Sequence, residues 1–160
     1  MNFGTFFKSV IIKVFTLLLL FPVMVFAQLT PTFVGDAAST GNNCYTITNN
    51  AMANSGAAWY GNPIDLSQDF DIVFNAFFGA NPNGADGMAF VLKSTPDAMI
   101  GFAGEGLGYE GINQSLAVEF DTYTNAGAIN DPSFDHIALH RFGNISHSSS
   151  DNLVPPGRAS

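Results

Sequence analysis

An all-β sandwich or barrel is the fold class this sequence predicts, and three features predict it. Short runs rich in β-branched and aromatic residues recur at 44–48, 70–78, 88–92, 115–122 and 136–140, punctuated by Gly, Asn and Ser about every ten residues. The run Phe70-Asp71-Ile72-Val73-Phe74-Asn75-Ala76-Phe77-Phe78 partly alternates apolar with polar, as a half-buried strand does. No segment carries an apolar stripe of helical period. Many short strands separated by turn signals build sandwiches and barrels.

Taken in order, residues 1–27 read as a signal peptide outside the fold. Lys8 and Lys13 precede an uncharged apolar stretch, 14–26, and Val25-Phe26-Ala27 offers a small-residue cleavage site before Gln28. The apolar stretch falls short of the roughly 20 residues that cross a bilayer, which argues for cleavage over anchoring. Residues 28–160 are then expected as one secreted or cell-surface domain, with no membrane insertion. Ala57-Ala58-Trp59-Tyr60 predicts a strand, Gly61-Asn62-Pro63 a turn, and Ile64-Asp65-Leu66 a second short strand. Trp59 is expected as packing. Cys44 is the only cysteine, so no internal disulfide forms; a buried apolar filler is the expectation for it. The last residues, from Leu153 through the Pro155-Pro156 pair to Ser160, show no closing strand.

Charge narrows the function classes. The chain has 13 Asp+Glu against 5 Lys+Arg, a formal charge of −8. Two of those five cations would leave with the signal peptide. So acidic a chain does not seek nucleic acid or an anionic membrane. The acidic residues also cluster. Glu119 and Asp121 lie two apart at the end of the apolar strand Leu116-Ala117-Val118, so they share one face. Asn125, Asp131, Asp135 and His136 follow, with no Lys or Arg among them. Carboxylates left uncompensated repel one another, so either solvent or a cation must be their partner. Oxygen ligands suit calcium and an added imidazole suits a transition ion. An EF-hand loop starting at Asp121 fails, because its sixth position is Ala126 and its twelfth is Pro132. His140 and His147 flank Arg141 in a polar stretch and read as surface histidines, with a third metal site as the alternative.

Three stretches in one order resemble the legume-type (L-type) lectins. Leu116-Ala117-Val118-Glu119-Phe120-Asp121-Thr122-Tyr123-x-Asn125, then Asp131-Pro132, then His136-Ile137-Ala138, is similar to their metal signature. Gly84-Ala85-Asp86-Gly87-Met88-Ala89-Phe90 resembles their Ala-Asp-Gly sugar loop, and Gly104-Glu105-Gly106-Leu107-Gly108-Tyr109 their glycine-rich loop. The resemblance is closer to secreted bacterial members than to plant ones. It implies a concanavalin-A-like jelly-roll β-sandwich, incomplete at the C-terminus because such domains are longer than this chain.

The resemblance also implies roles. Glu119 and His136 would bind a transition ion, usually Mn2+, and Asp121 and Asp131 would bridge it to Ca2+. The Tyr123 carbonyl and the Asn125 side chain would complete the calcium shell. Asp86 would accept from two sugar hydroxyls and the Asn125 amide would donate to one. A backbone N–H of Gly104 or Gly106 would donate another, and the Tyr123 ring would stack on the sugar. The peptide bond between Ala85 and Asp86 is expected to be cis. The partner is thus a glycan or polysaccharide, and a homodimer is expected because such sandwiches often pair through a flat sheet. Two departures stand out: the interval from Asp121 to Asp131 is one residue longer than in some members, and Glu105 replaces a small residue. A glycoside hydrolase on the same sandwich is the alternative, but Tyr123 and Thr124 stand where its second Glu would fall. A metal-stabilised adhesin domain is the other.

Overall fold

The structure, a computed structural model, describes residues 30–127 and 129–158. The expected signal peptide, 1–27, lies outside them. Among the described residues eight strands form three antiparallel sheets. Strands β1 (Thr32–Gly35) and β4 (Gly56–Trp59) pair, as do β2 (Ala38–Gly41) and β3 (Cys44–Thr46). A four-stranded sheet runs β5 (Gly87–Lys93), β6 (Ser115–Asp121), β7 (His136–Arg141) and β8 (Asn152–Arg158). The all-β class expected from sequence is the class observed.

The four-stranded sheet is two-faced in an uncommon way. Strand period places Ser115, Ala117, Glu119 and Asp121 of β6 on one side, and all four are buried. His136, Ala138 and His140 of β7 share that side and are equally buried. The covered face is therefore largely polar. Leu116, Val118 and Phe120 point the other way with Phe90, Ile137 and Leu139, and Leu116 and Ile137 stay partly exposed. Residues 99–112 and the segments around Ile129 and Ile145 lie over the polar face. Tyr109, Ile112, Ala117, Ile129 and Ile145 form the apolar core there, with Trp59, Ala89, Val91, Met99 and Leu107 against it. Core and polar cluster thus occupy one layer.

Several expectations are corrected. Residues 70–78 form no strand: no ladder partner runs beside them among the described residues. Their aromatics instead cap the apolar face, Phe74 stacking on Phe90 at 5.7 Å and Phe78 leaning on Phe120 at 6.3 Å. Residues 64–66 form no strand either. The C-terminal stretch does form one: β8 pairs with β7 despite Pro155-Pro156. It is an edge strand, where a missing N–H need face only one neighbour, and the register slips beside it. Cys44 is exposed and fills no core. Trp59 is packing, as expected, and its indole N–H donates to the Met99 carbonyl at 2.6 Å.

Candidate metal and sugar site

Strand register builds the site. Gly87 faces Asp121 across β5 and β6, and Asp121 faces His136 across β6 and β7. Three strand ends meet there, so Asp86, the turn after Asp121 and the start of β7 share one end of the sheet. Close approach requires glycine at 87: a Cβ there would collide with the Phe120 carbonyl. The peptide bond between Ala85 and Asp86 is cis. Thr122 donates to the Asp86 carbonyl through its N–H at 2.9 Å and its hydroxyl at 3.1 Å, which fixes the loop.

The turn after β6 wraps around carboxylates. Tyr123 N–H donates to Asp121 Oδ1 at 2.8 Å, and Asn125 N–H donates to Asp131 Oδ2 at 2.7 Å. The Asn125 amide Nδ2 donates to Asp86 Oδ1 at 3.3 Å. Gly104 stands over the same carboxylate, since a Cβ on it would lie 3.9 Å from Asp86 Oδ2. The Gly106 N–H is bonded to the Ala103 carbonyl at 3.3 Å, which leaves Gly104 as the better placed donor. The Tyr123 ring is half-exposed beside them. Asp135, counted with the acidic cluster from sequence, is exposed and stands outside both sets of side chains close enough to share an ion.

Beneath the turn lies a buried constellation. Glu119 sits opposite Ala138, so its diagonal neighbours on β7 are His136 and His140. Glu119 Oε1 is 3.3 Å from His136 Nε2, 3.3 Å from His140 Nε2 and 3.4 Å from His147 Nε2. Asp131 Oδ1 is 3.7 Å from His136 Nε2 and 3.1 Å from His147 Nε2. Two sets of side chains are close enough to share an ion: Glu119 with His136 and His147, and Asp121 with Asp131 and His136. Glu119 Oε1, Asp131 Oδ1 and Asn125 Oδ1 are buried without a hydrogen-bond partner. Each such atom costs about 1–3 kcal/mol, more when charged. Oxygens of that kind, close together beside imidazole nitrogens, fit a divalent cation. Glu119, Asp131, His136 and His147 would surround a transition ion; Asp121, Asp131 and Asn125 a calcium ion.

The surroundings tune these groups. Burial pushes the Asp121 carboxyl up to about 7, and the charge of Asp131 adds to the push against the Tyr123 N–H bond. Burial would also raise Glu119, but contact with His140, the Tyr109 hydroxyl and His147 outweighs it and holds Glu119 below its usual range. Tyr109 donates to Glu119 Oε2 at 2.7 Å with its ring wholly buried; burial and the Glu119 charge raise its phenol. Burial holds His147 below the usual imidazole value, which favours the neutral ligand form.

Three participants escaped the sequence reading. His140 and His147 are not surface histidines; His140 is fully buried, and the His147 side chain is 5% exposed. Tyr109 was visible only as the end of a glycine-rich loop. The one available signal was that 136, 138 and 140 share a strand face.

A model of the family described as the legume lectin beta-barrel domain matches residues 27–156. The chain belongs to the legume lectin family. Membership supports carbohydrate binding in general and agrees with the all-β sandwich class. The chain is also similar to the pesticidal crystal protein Cry22Aa of Bacillus thuringiensis, 31% identical over 104 residues. That match covers 63% of this chain and 14% of the crystal protein, so the lectin-type segment corresponds to a small part of that relative.

Proposed function

We propose that this legume lectin domain is a secreted, calcium- and transition-ion-dependent sugar-binding module that does not hydrolyse its ligand. The observation that carries the reading is the pair formed by Asp86 and Asn125. A carboxylate that only accepts and an amide that donates stand 3.3 Å apart at one sheet end, with a glycine backbone over the carboxylate. Neighbouring sugar hydroxyls both donate and accept, so such a pair reads two at once. The half-exposed Tyr123 ring offers an apolar face for the C–H side of a pyranose.

The ions would hold that pair. Bound calcium would neutralise Asp121 and Asp131 and satisfy Asn125 Oδ1, the buried acceptor on the amide whose nitrogen reaches Asp86. Asn125 would then be fixed at both ends, oxygen inward and nitrogen toward the sugar. A hydrolase reading needs two carboxyls within reach of a glycosidic oxygen. Glu119 is 2% and Asp121 4% exposed, so the strand that bears the acidic pair keeps it inside. Export rests on the signal-like pattern of residues 1–27. Among the described residues no helix is long and apolar enough to cross a membrane. Homodimerisation is part of the proposal, and sedimentation velocity tests it.

A glycan array probed with the ion-loaded protein, the chelated protein and Asp86→Asn tests the sugar reading. Binding by the loaded wild type, with loss in the other two, is expected. An Asp86→Asn protein that binds the same glycans equally well would overturn the assignment of the reading pair.

A further inference from the structure

The family resemblance accounts for one imidazole at the inner ion site, His136. The structure brings a second. We propose that His147 is a direct ligand of the transition ion, so that two imidazoles with Glu119 and Asp131 make a site selective for zinc-type ions over manganese. This inference rests on the two-ion reading above.

Geometry is the first support. Glu119 Oε1, His136 Nε2 and His147 Nε2 form a triangle with edges of 3.3, 3.4 and 3.1 Å. An ion about 2.0–2.1 Å from each of three tetrahedral ligands spaces them about 3.3–3.4 Å apart. Asp131 Oδ1 lies 3.1 Å from the His147 nitrogen, on the same cluster.

Proton counting is the second. One hydrogen bond between the two Nε2 atoms would use one proton and leave Glu119 Oε1 and Asp131 Oδ1 without donors, as they are. Among the described residues no Lys or Arg reaches them: Lys93 pairs with Asp97, Arg141 with Asp151, and Arg158 lies over the Phe134 ring; His140 Nε2, 3.3 Å from Glu119 Oε1, still leaves Asp131 Oδ1 without a donor. A cation satisfies all four atoms together.

Ligand orientation is the third. His136 Nδ1 lies 3.1 Å from the Phe134 carbonyl, and donating there leaves the Nε2 lone pair free for a metal. Asn152 Nδ2 lies 3.4 Å from His147 Nδ1, and its own Oδ1 is buried without a partner. The same amide nitrogen donates to the His147 carbonyl at 3.3 Å, so Asn152 holds His147 on the side away from the cluster while its Nε2 faces Glu119 and Asp131. The loop is anchored too: His147 N–H donates to the Ile129 carbonyl at 2.8 Å, two residues before Asp131. Two ligand-bearing loops are thereby tied to each other.

The chemistry follows from the donors. Imidazole nitrogen suits zinc, cobalt, nickel and copper, whereas manganese prefers oxygen. Exchanging an oxygen ligand for a second nitrogen widens the gap between the two classes.

The test uses the ion-stripped whole chain reloaded with calcium plus either zinc or manganese. X-ray absorption at the zinc edge is expected to count two imidazoles. Calorimetric titration is expected to show zinc affinity falling by about 100-fold or more in His147→Ser, since even an outer-sphere partner is worth about 10–100-fold. Manganese affinity is expected to fall less. A single imidazole in the wild type, or zinc affinity unchanged in the variant, overturns the inference. If His147→Ser fails to fold, the wild-type imidazole count decides alone. Glycan binding measured on the same samples keeps the two readings apart. One imidazole with glycans bound sinks only this inference; two imidazoles without glycan binding sinks only the sugar reading.

Discussion

Tyr109→Phe isolates one buried contact. The phenol is fully buried and donates to Glu119 Oε2 at 2.7 Å, and Glu119 is itself 2% exposed. Phenylalanine keeps the ring and its packing against Ile112 and Ala117, so no sizeable cavity opens. What is lost is a hydrogen bond to a charged acceptor, and such bonds contribute about 1.5–3 kcal/mol. Water cannot easily replace the donor in a closed layer. The ion-free variant is therefore expected to lose about 2 kcal/mol in urea unfolding at neutral pH. Glu119 also loses one of the contacts that hold its carboxyl low, so its pKa rises and protons compete better with the ion. Transition-ion affinity is expected to drop about 10–100-fold, as for other outer-sphere partners. Calorimetry of zinc or manganese binding, alongside the urea curves, reads both effects. A variant within 0.5 kcal/mol of wild type, in the sense of about the scatter of surface substitutions, and with unaltered ion affinity, would refute the claim that Tyr109 supports Glu119.

Three further expectations follow from the same geometry. Chelation is expected to abolish glycan binding while far-ultraviolet circular dichroism still reports β structure, because backbone hydrogen bonds hold the ladders of β5 to β8 whereas the ion takes the side chains of Glu119, Asp121 and His136; persistent binding in excess EDTA contradicts the role given to Asn125. Asp121 sits at about 7 in the folded chain against an ordinary 3.8, so the ion-free fold holds its proton more tightly than the unfolded chain. That contribution is complete below about pH 4 and is lost as pH rises through about 7, at most about 4 kcal/mol, and bound calcium should remove the loss. Glu119 and His147 have the opposite sign: the lowered Glu119 pKa contributes stability that is lost as pH falls below its ordinary 4.5, and the lowered His147 pKa costs stability as pH falls below its ordinary 6.5, so His147 opposes Asp121 below about pH 6.5 and the Asp121 loss stands alone from about 6.5 to 8. Thermal melts across that window, with and without calcium, check the sign, and flat ion-free melts would contradict it. Gly87→Ala forces β5 away from the Phe120 carbonyl and is expected to cost about 1–3 kcal/mol, the range for overpacking. It should also weaken glycan binding by shifting Asp86; a variant as stable and active as wild type would show that β5 and β6 are not so closely apposed.

The order of the motifs carries much of what can be read from the chain alone. Glu119 and Asp121 two apart, with Asn125, Asp131 and His136 after them and no base between, specify a repelling cluster whatever the fold, because like charges repel at any register. The period of two likewise places 119 with 121, and 136 with 138 and 140, on common faces. The class of fold was equally legible, since short β-rich runs and frequent turn residues leave few other architectures.

Only the tertiary structure decided which distant groups meet. Pairing of Gly87 with Asp121 brings Asp86 to Asn125, and coverage of the polar face turns His140 and His147 from apparent surface residues into neighbours of Glu119. The strand choices failed for a related reason. Residues 70–78 have strand chemistry but no ladder partner among the described residues, whereas the proline-bearing β8 has a partner on one side and needs no other. Local pattern sets what a segment prefers and which way its side chains point. Ladder partners, burial and the convergence of ligands depend on contacts between segments far apart in the chain, and those are settled only when the sheets assemble.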